Sequence, residues 1–269
     1  ENPEMVTASM LKLGRAYRSF SVEVEKSSGM LKEPIAKLPA FQQEMKKIVA
    51  GLARKSDDFY SKGLQKVKEL NLYTEWGRAL IAEFKKLDPK SYKVPEIKRN
   101  QLKREKITEK ELSATYENLR HQLEEDHKNI AVYRTFVMKL LEEKREAEAE
   151  WISFNALKLN AKDSFFLNVI GQRAFNQAKY DLALKYFQDA SLLENNSYPH
   201  YNAGLIHFYF TNYENAQMQF RNAYDQNSQD NDIVLMLGVA MRSNKKYDEA
   251  EKLYLTHSMS TTVPDRMPA

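Results

Sequence analysis

Few side chains in this sequence could do chemistry. The five histidines are His121, His127, His200, His207 and His257, and there is no cysteine. That absence removes disulfides, thiolate metal sites and cysteine nucleophiles together. Glu124-Glu125-Asp126-His127 contains one Glu-x-x-His, the spacing with which helical bundles hold a carboxylate-bridged metal pair. Such a site needs a second copy of the motif and two further inward glutamates. No second copy occurs, so a solvated charged face is the plainer reading. His200 and His207 are seven apart, near one helical face, and read as partly buried structural histidines. The paired carboxylates Asp57-Asp58 lie on a charged helical stretch without a partner base. The glycines are isolated, and neither Gly-x-Ser-x-Gly nor His-Glu-x-x-His is present. The expectation is a protein that is not an enzyme and has no metal site and no cofactor.

The elements that would position side chains are announced by three phrases of the same spelling. The first is Gly171, Tyr180, Ala183, Phe187, Ala190; the second is Gly204, Tyr213, Ala216, Phe220, Ala223; the third is Gly238, Tyr247, Ala250, Tyr254. The glycines are 33 and then 34 residues apart, a period that belongs to helical repeat arrays. Each phrase reads as two antiparallel helices. A glycine inside the first helix costs about 1 kcal/mol against alanine, which makes sense where a neighbouring backbone comes close. The alanine leaves room for the helix crossing, and the aromatic four residues later fills the space between repeats. Asn176–Lys179, Thr211–Asn212 and Ser243–Lys246 read as the turns. Asp163-Ser164 and Asn231-Asp232 read as helix N-caps.

These phrases resemble the tetratricopeptide repeat family over about residues 164–256. There are departures. The large aromatic that members often place early in the first helix is Leu167, His200 and Val234 here. The closing proline is replaced by Asn195-Asn196-Ser197 and Asn227-Ser228. The resemblance implies a right-handed α-solenoid of three repeats, about 164–196, 197–230 and 231–264, whose first helices line a concave groove for a partner protein. Carried over by position, that groove is lined by Asn168, Gln172, Phe175, Tyr201, Leu205, Phe208, Leu235, Val239 and Arg242. Aromatics with amides suit an apolar or extended ligand better than an acidic tail. The alternative is that Phe175, Tyr201 and Phe208 simply pack inside the array. Some members clamp a C-terminal carboxylate; those places hold Asn168, Gln172, Asn202, Asp232 and Met236 here, and only Asn202 fits.

The first 160 residues carry no repeat but are helical in pattern. Residues 5–28 follow a 3.6 period, and Pro34 and Pro39 bracket a break before a second stretch at about 40–87 in which Gly51, Gly63 and Gly77 mark bends. Residues 85–107 hold Pro89 and Pro95 and the densest basic charge, and read as a linker. From Leu112 to Phe154 apolar residues step by four and three, interrupted at Asp126 and Lys144. That heptad pattern predicts a coiled-coil-like helix over about 108–159, about 75 Å long at 1.5 Å per residue. It would pair with 40–87 or with a second copy. The fold class is therefore all-α: an elongated helical hairpin or bundle over 1–160, then the repeat array over 161–256 and a polar tail over 257–269.

Charge divides the chain. Residues 1–160 hold 31 Lys and Arg against 25 Asp and Glu, and residues 161–269 hold 10 against 12. A basic excess attracts phosphate, anionic membrane or an acidic partner. The expected function is a protein–protein interaction scaffold or assembly factor, with the groove binding a partner and the long helices setting spacing or self-association. The alternative is a crescent-type module on an anionic membrane surface. Nucleic acid is not expected, since only Phe84 and Tyr92 are near the basic stretch as stacking aromatics. No run of 18 apolar residues occurs. The start at Glu1-Asn2-Pro3 and the lack of cysteine fit a bacterial envelope or periplasmic protein after leader removal, and fit the cytoplasm equally. The tail after His257 reads as too polar for an amphipathic cap, so Leu253, Tyr254 and Leu255 are expected to meet further repeats or a partner.

Overall fold

The structure is a computed structural model, and it describes residues 3–29, 39–87, 102–106, 108, 113–160, 162–193 and 196–261, with side chains described to His257. The described residues are helical, with no strand among them. The helices are α1 (Pro3–Gly29), α2 (Pro39–Glu69), α3 (Glu75–Leu87), α4 (Tyr116–Glu125), α5 (Ile130–Glu142), α6 (Glu146–Leu159), α7 (Ser164–Asn176), α8 (Tyr180–Ser191), α9 (Ser197–Tyr209), α10 (Tyr213–Gln226), α11 (Asn231–Ser243) and α12 (Tyr247–Thr261). They form two compact units that divide between Val94 and Pro95.

The first unit is a hairpin of α1 and α2 with α3 packed on both. The hairpin closes tightly because Gly14 has no side chain: a Cβ there would stand 2.3 Å from the Tyr60 ring. The buried Ser56 hydroxyl donates to the Gly14 carbonyl at 2.9 Å, which fixes the register of the pair. The helical stretch expected over 40–87 is broken at 70–74, where Asn71 takes φ 51°. Gly77 is dictated by that turn, since a Cβ on it would lie 2.6 Å from the Leu72 carbonyl oxygen.

In the second unit the coiled-coil-like helix expected over 108–159 is three short helices, α4, α5 and α6. It breaks at the two interruptions of the apolar seam. Asp126 ends α4, and its carboxylate accepts from the Lys128 N–H at 3.1 Å. Lys144 lies just past α5 in the left-handed region at φ 61°. The apolar spacing runs on across the break at Lys144 because α5 and α6 each bury an apolar face against the other, so periodicity alone does not distinguish one helix from three.

After α4 comes the repeat array, and it has four members. Left-handed residues Lys144, Ala178, Thr211 and Lys245 recur at steps of 34, 33 and 34. At each, the N–H of the next residue donates to the carbonyl five positions earlier: Arg145 to Leu140, Lys179 to Ala174, Asn212 to His207 and Lys246 to Met241, all at 2.8–2.9 Å. This is the Schellman closure of a helix end, used four times. The N-caps share the period: Asn129, Asp163, Asn196 and Asp230 each accept a backbone N–H in the first turn of the next helix. Asp230 therefore caps α11, one residue before the expected Asn231-Asp232. α5–α6 is thus a repeat ahead of the three expected.

The repeat glycines answer to rings rather than to backbone. A Cβ on Gly171, Gly204 or Gly238 would come within 2.6, 2.6 and 2.2 Å of Phe187, Phe220 and Tyr254. Thirty-four residues before Gly171 and Phe187 stand Val137 and Ser153, both fully buried. The bulk has moved from the second helix to the first, and Ala149 and Ala156 keep the two alanine places. At the other end α12 runs to Thr261, past the His257 where a polar tail was expected to begin; residues 262–269 lie outside the described residues.

Candidate peptide-binding groove

The most closely determined polar site of the second unit is where residues 102–106 cross the first helices of the repeats. Asn168 and Gln172 stand one turn apart on α7, and Asn202 stands 34 residues after Asn168 on α9. Helix-start capping by Asp163 and Asn196, 33 residues apart, sets the phase of both helices, and Asn202, one place on from the position that matches Asn168, lies beside it across the two helices. The Asn202 amide donates to the Asn168 side-chain oxygen at 2.9 Å. All three amides are buried. A buried amide without partners costs about 1–3 kcal/mol, and here the partner is the backbone of one residue, Lys103.

The Lys103 carbonyl accepts from Gln172 Nε2 at 2.7 Å, Asn202 Nδ2 at 2.8 Å and Asn168 Nδ2 at 3.3 Å. The Lys103 N–H donates to Asn202 Oδ1 at 2.7 Å. Asn202 thus meets both backbone groups of one residue, as a neighbouring strand would. The orientation of its amide is fixed by having an N–H on one side and a carbonyl on the other.

The side chains are held as definitely as the backbone. The Lys103 ammonium lies 2.6 Å from both Asp230 oxygens and 2.9 Å from Asp232 Oδ2, over the Tyr201 ring at 5.2 Å. Burial would lower the lysine pKa, but hydrogen bonds to Asp230 and Asp232 outweigh it and hold the value above its ordinary one. Burial also pushes the Tyr201 hydroxyl well up, with Asp232 and Asp230 adding to it. Asp230 serves two ends at once, since its Oδ1 also caps α11 through the Asp232 and Ile233 N–H groups. Leu102 packs against the apolar cluster built around Tyr201, Leu205 and Phe220. Arg104 reaches Glu142 only at 3.8 Å and stays half exposed. Beyond Lys103 the groove opens as a cavity of about 740 Å³ that includes Tyr198, Leu235 and Met236 in its walls.

The residues expected to line the groove divide three ways. Asn168, Gln172 and Tyr201 meet the Lys103 segment, and Leu235 stands at the cavity wall. Phe175, Leu205 and Phe208 are buried in the interior, where Phe175 packs edge-on to Tyr180 and Phe208 packs on Tyr213. Val239 packs on the same cluster as Leu205, and Arg242 is exposed. Asn202, expected only at a carboxylate-clamp place, Asp230 and the Lys103 segment lie outside the expected groove set. The repeat step here is 33, which matches Asn168 to Tyr201 and leaves Asn202 one position off the pattern, and a ligand lying 65 to 127 residues upstream in the same chain leaves no periodic signal. His207 is buried as expected, and burial lowers its pKa to about 4; His200 bonds Gln219 at 2.9 Å. Glu124 and His127 gather no third ligand, and no group of three metal-binding side chains occurs among the described residues. No helix among them is long and apolar enough to cross a membrane.

The geometry defines a helical repeat array whose first helices hold a non-helical segment of the same chain, residues 102–106. No protein-family model matches the chain, and no curated protein matches it. Among solved structures it is similar to a MamA protein crystal structure, at 13% identity and TM-score 0.47, over 59% of this chain and 90% of that one. It is also similar to MamA 41-end from Desulfovibrio magneticus RS-1, at 14% identity and TM-score 0.45, over 55% and 85%. A third similar structure is the APC/C hetero-tetramer Cut9-Hcn1, at 11% identity and TM-score 0.45, over 84% and 40%.

Proposed function

We propose that this protein is a non-enzymatic interaction module whose repeat groove holds an extended segment of a partner protein. The observation that carries this is the clamp on Lys103: three buried amides converge on the N–H and C=O of a single non-helical residue. Amides spent on backbone groups bind chain as such, which is how an extended peptide is gripped before its side chains are sorted. The first unit, a helical hairpin with a third helix, would set spacing or assembly. Similarity to the three solved structures adds nothing to this reading.

The test is selection from a library of displayed peptides on the whole chain carrying Lys103→Glu, which frees the groove by placing a third carboxylate beside Asp230 and Asp232. Enrichment of peptides that is lost when Asn168→Ala and Asn202→Ala are added supports the reading. Absence of enrichment, or enrichment indifferent to the two asparagines, overturns it.

A further inference from the structure

We propose that the groove recognises an extended partner segment in which an apolar residue precedes a lysine, and that Leu102-Lys103 is an internal copy of that sequence which the partner must displace. The inference rests on the groove reading above and adds the identity of the occupant.

The amide clamp reads backbone only, so sequence must be read by what lies on either side of it. One side is apolar. Leu102 is partly buried against the cluster of Tyr201, Phe220 and Leu237. The other is acidic. Asp230 and Asp232 together present two carboxylates to one ammonium, which sits above an aromatic face. A cation so placed gains from both the charge pair and the ring. A glutamate there would face like charges, and an alanine would leave the largely buried Asp230 carboxylate with nothing but its own helix end. The following position is read loosely, because Arg104 meets Glu142 at 3.8 Å and remains half exposed. The motif is thus two residues with a backbone requirement between them, and the adjoining cavity gives a longer ligand room to continue past Tyr198 and Met236.

The same contacts make the segment a competitor. It is covalently joined to its groove, and a tethered ligand acts at an effective concentration of about millimolar. A partner therefore sees only the fraction of groove that is empty, and its apparent affinity falls by that fraction. The charge arrangement points to a basic partner segment rather than an acidic tail, since the groove offers carboxylates where a carboxylate-clamping array would offer cations.

The experiment uses the whole chain and a fluorescent peptide with its own sequence from Lys98 to Thr108. Anisotropy titrations compare the native chain, Lys103→Glu, and Lys103→Glu with Asn202→Ala. A scrambled peptide of the same composition is run beside each. The expected result is that Lys103→Glu binds the peptide at least about tenfold more tightly than the native chain, in line with a tethered competitor. The scrambled peptide and the Asn202→Ala chain should bind weakly or not at all. Equal binding by the native and Lys103→Glu chains overturns the competition. Equal binding of ordered and scrambled peptides overturns the motif, leaving only charge attraction. If the peptide binds neither chain while the display selection enriches other sequences, the motif fails and the groove stands. If both fail, the groove reading fails with it.

Discussion

Removing the Asn202 amide should release the Lys103 segment, and the size of the effect comes from the two of its three hydrogen bonds that reach that segment. Asn202 accepts from the Lys103 N–H, donates to the Lys103 carbonyl and donates to Asn168 Oδ1, at 2.7, 2.8 and 2.9 Å. Each of the two bonds to the segment is worth about 0.5–1.5 kcal/mol net, so Asn202→Ala should cost the docked segment about 1–3 kcal/mol. One factor of ten per 1.4 kcal/mol makes that roughly a 5- to 140-fold rise in the open population. The Lys103 N–H exchanges with solvent only when the segment opens, so hydrogen exchange of a fragment spanning 102–106 reads the population directly. Protection there should fall by this factor in the variant. The interior fragments of α9 and α10 should keep their protection, because the alanine sits at the groove rather than among the apolar side chains. Exchange at Lys103 that is fast in the native chain, or that changes by less than about threefold, the effect of a single weak hydrogen bond, would refute the clamp.

Within the array, His207 is neutral when buried, with a pKa lowered by burial to about 4 in the folded chain against the ordinary 6.5 expected on unfolding. The unfolded chain takes up that proton first, so stability is full above pH 6.5 and is lost as pH falls toward 4. The loss should approach about 3 kcal/mol at 1.36 kcal/mol per unit, and His207→Leu should remove it in urea titrations across that range. Gly204→Val should be destabilising by about 1–3 kcal/mol because its side chain enters the Phe220 ring. Phe220→Ser should cost about 3–5 kcal/mol, and the double substitution should cost clearly less than the sum, as the Val137 and Ser153 pair implies; additivity in a double-mutant cycle would contradict the exchange of bulk. Thr211 is β-branched at φ 59° with a buried hydroxyl that has no partner, so Thr211→Gly should raise stability by about 1 kcal/mol, seen as a higher denaturation midpoint.

Much of the fold is legible in the sequence because repeat packing obeys small-residue rules that survive in the spelling. Gly171, Gly204 and Gly238 have to be small, and the Phe187, Phe220 and Tyr254 rings that fill their space keep the same offset. The fourth repeat keeps only Ala149 and Ala156, because Val137 and Ser153 fill the same place with the sizes reversed. That reversal erases the spelling without changing the volume. The heptad from Leu112 to Phe154 misleads for another reason: the chain reverses at left-handed Lys144, and α5 and α6 each carry an apolar face because they pack on one another. In the groove, the pattern points one position away from a residue that grips the segment. Tyr201 and Asn202 are adjacent, and one turn on from Tyr201, Leu205 is already interior. The helix buries nearly every residue there, so amphipathic pattern cannot separate groove from core. The lysine that fills the groove belongs to a segment whose basic composition speaks only for a linker.

The chain has no cysteine, so one introduced thiol reports without background. Leu102→Cys, titrated with a maleimide in the whole chain with and without a saturating excess of the Lys98–Thr108 peptide, tests the central claim most directly. Labelling of the chain alone should be slow, slower than a free thiol by about tenfold or more if the open fraction is a tenth or less. It should reach the free-thiol rate once the peptide holds the groove. Labelling at the free rate in both conditions would show that the segment does not occupy the groove, and slow labelling in both would show that no peptide displaces it.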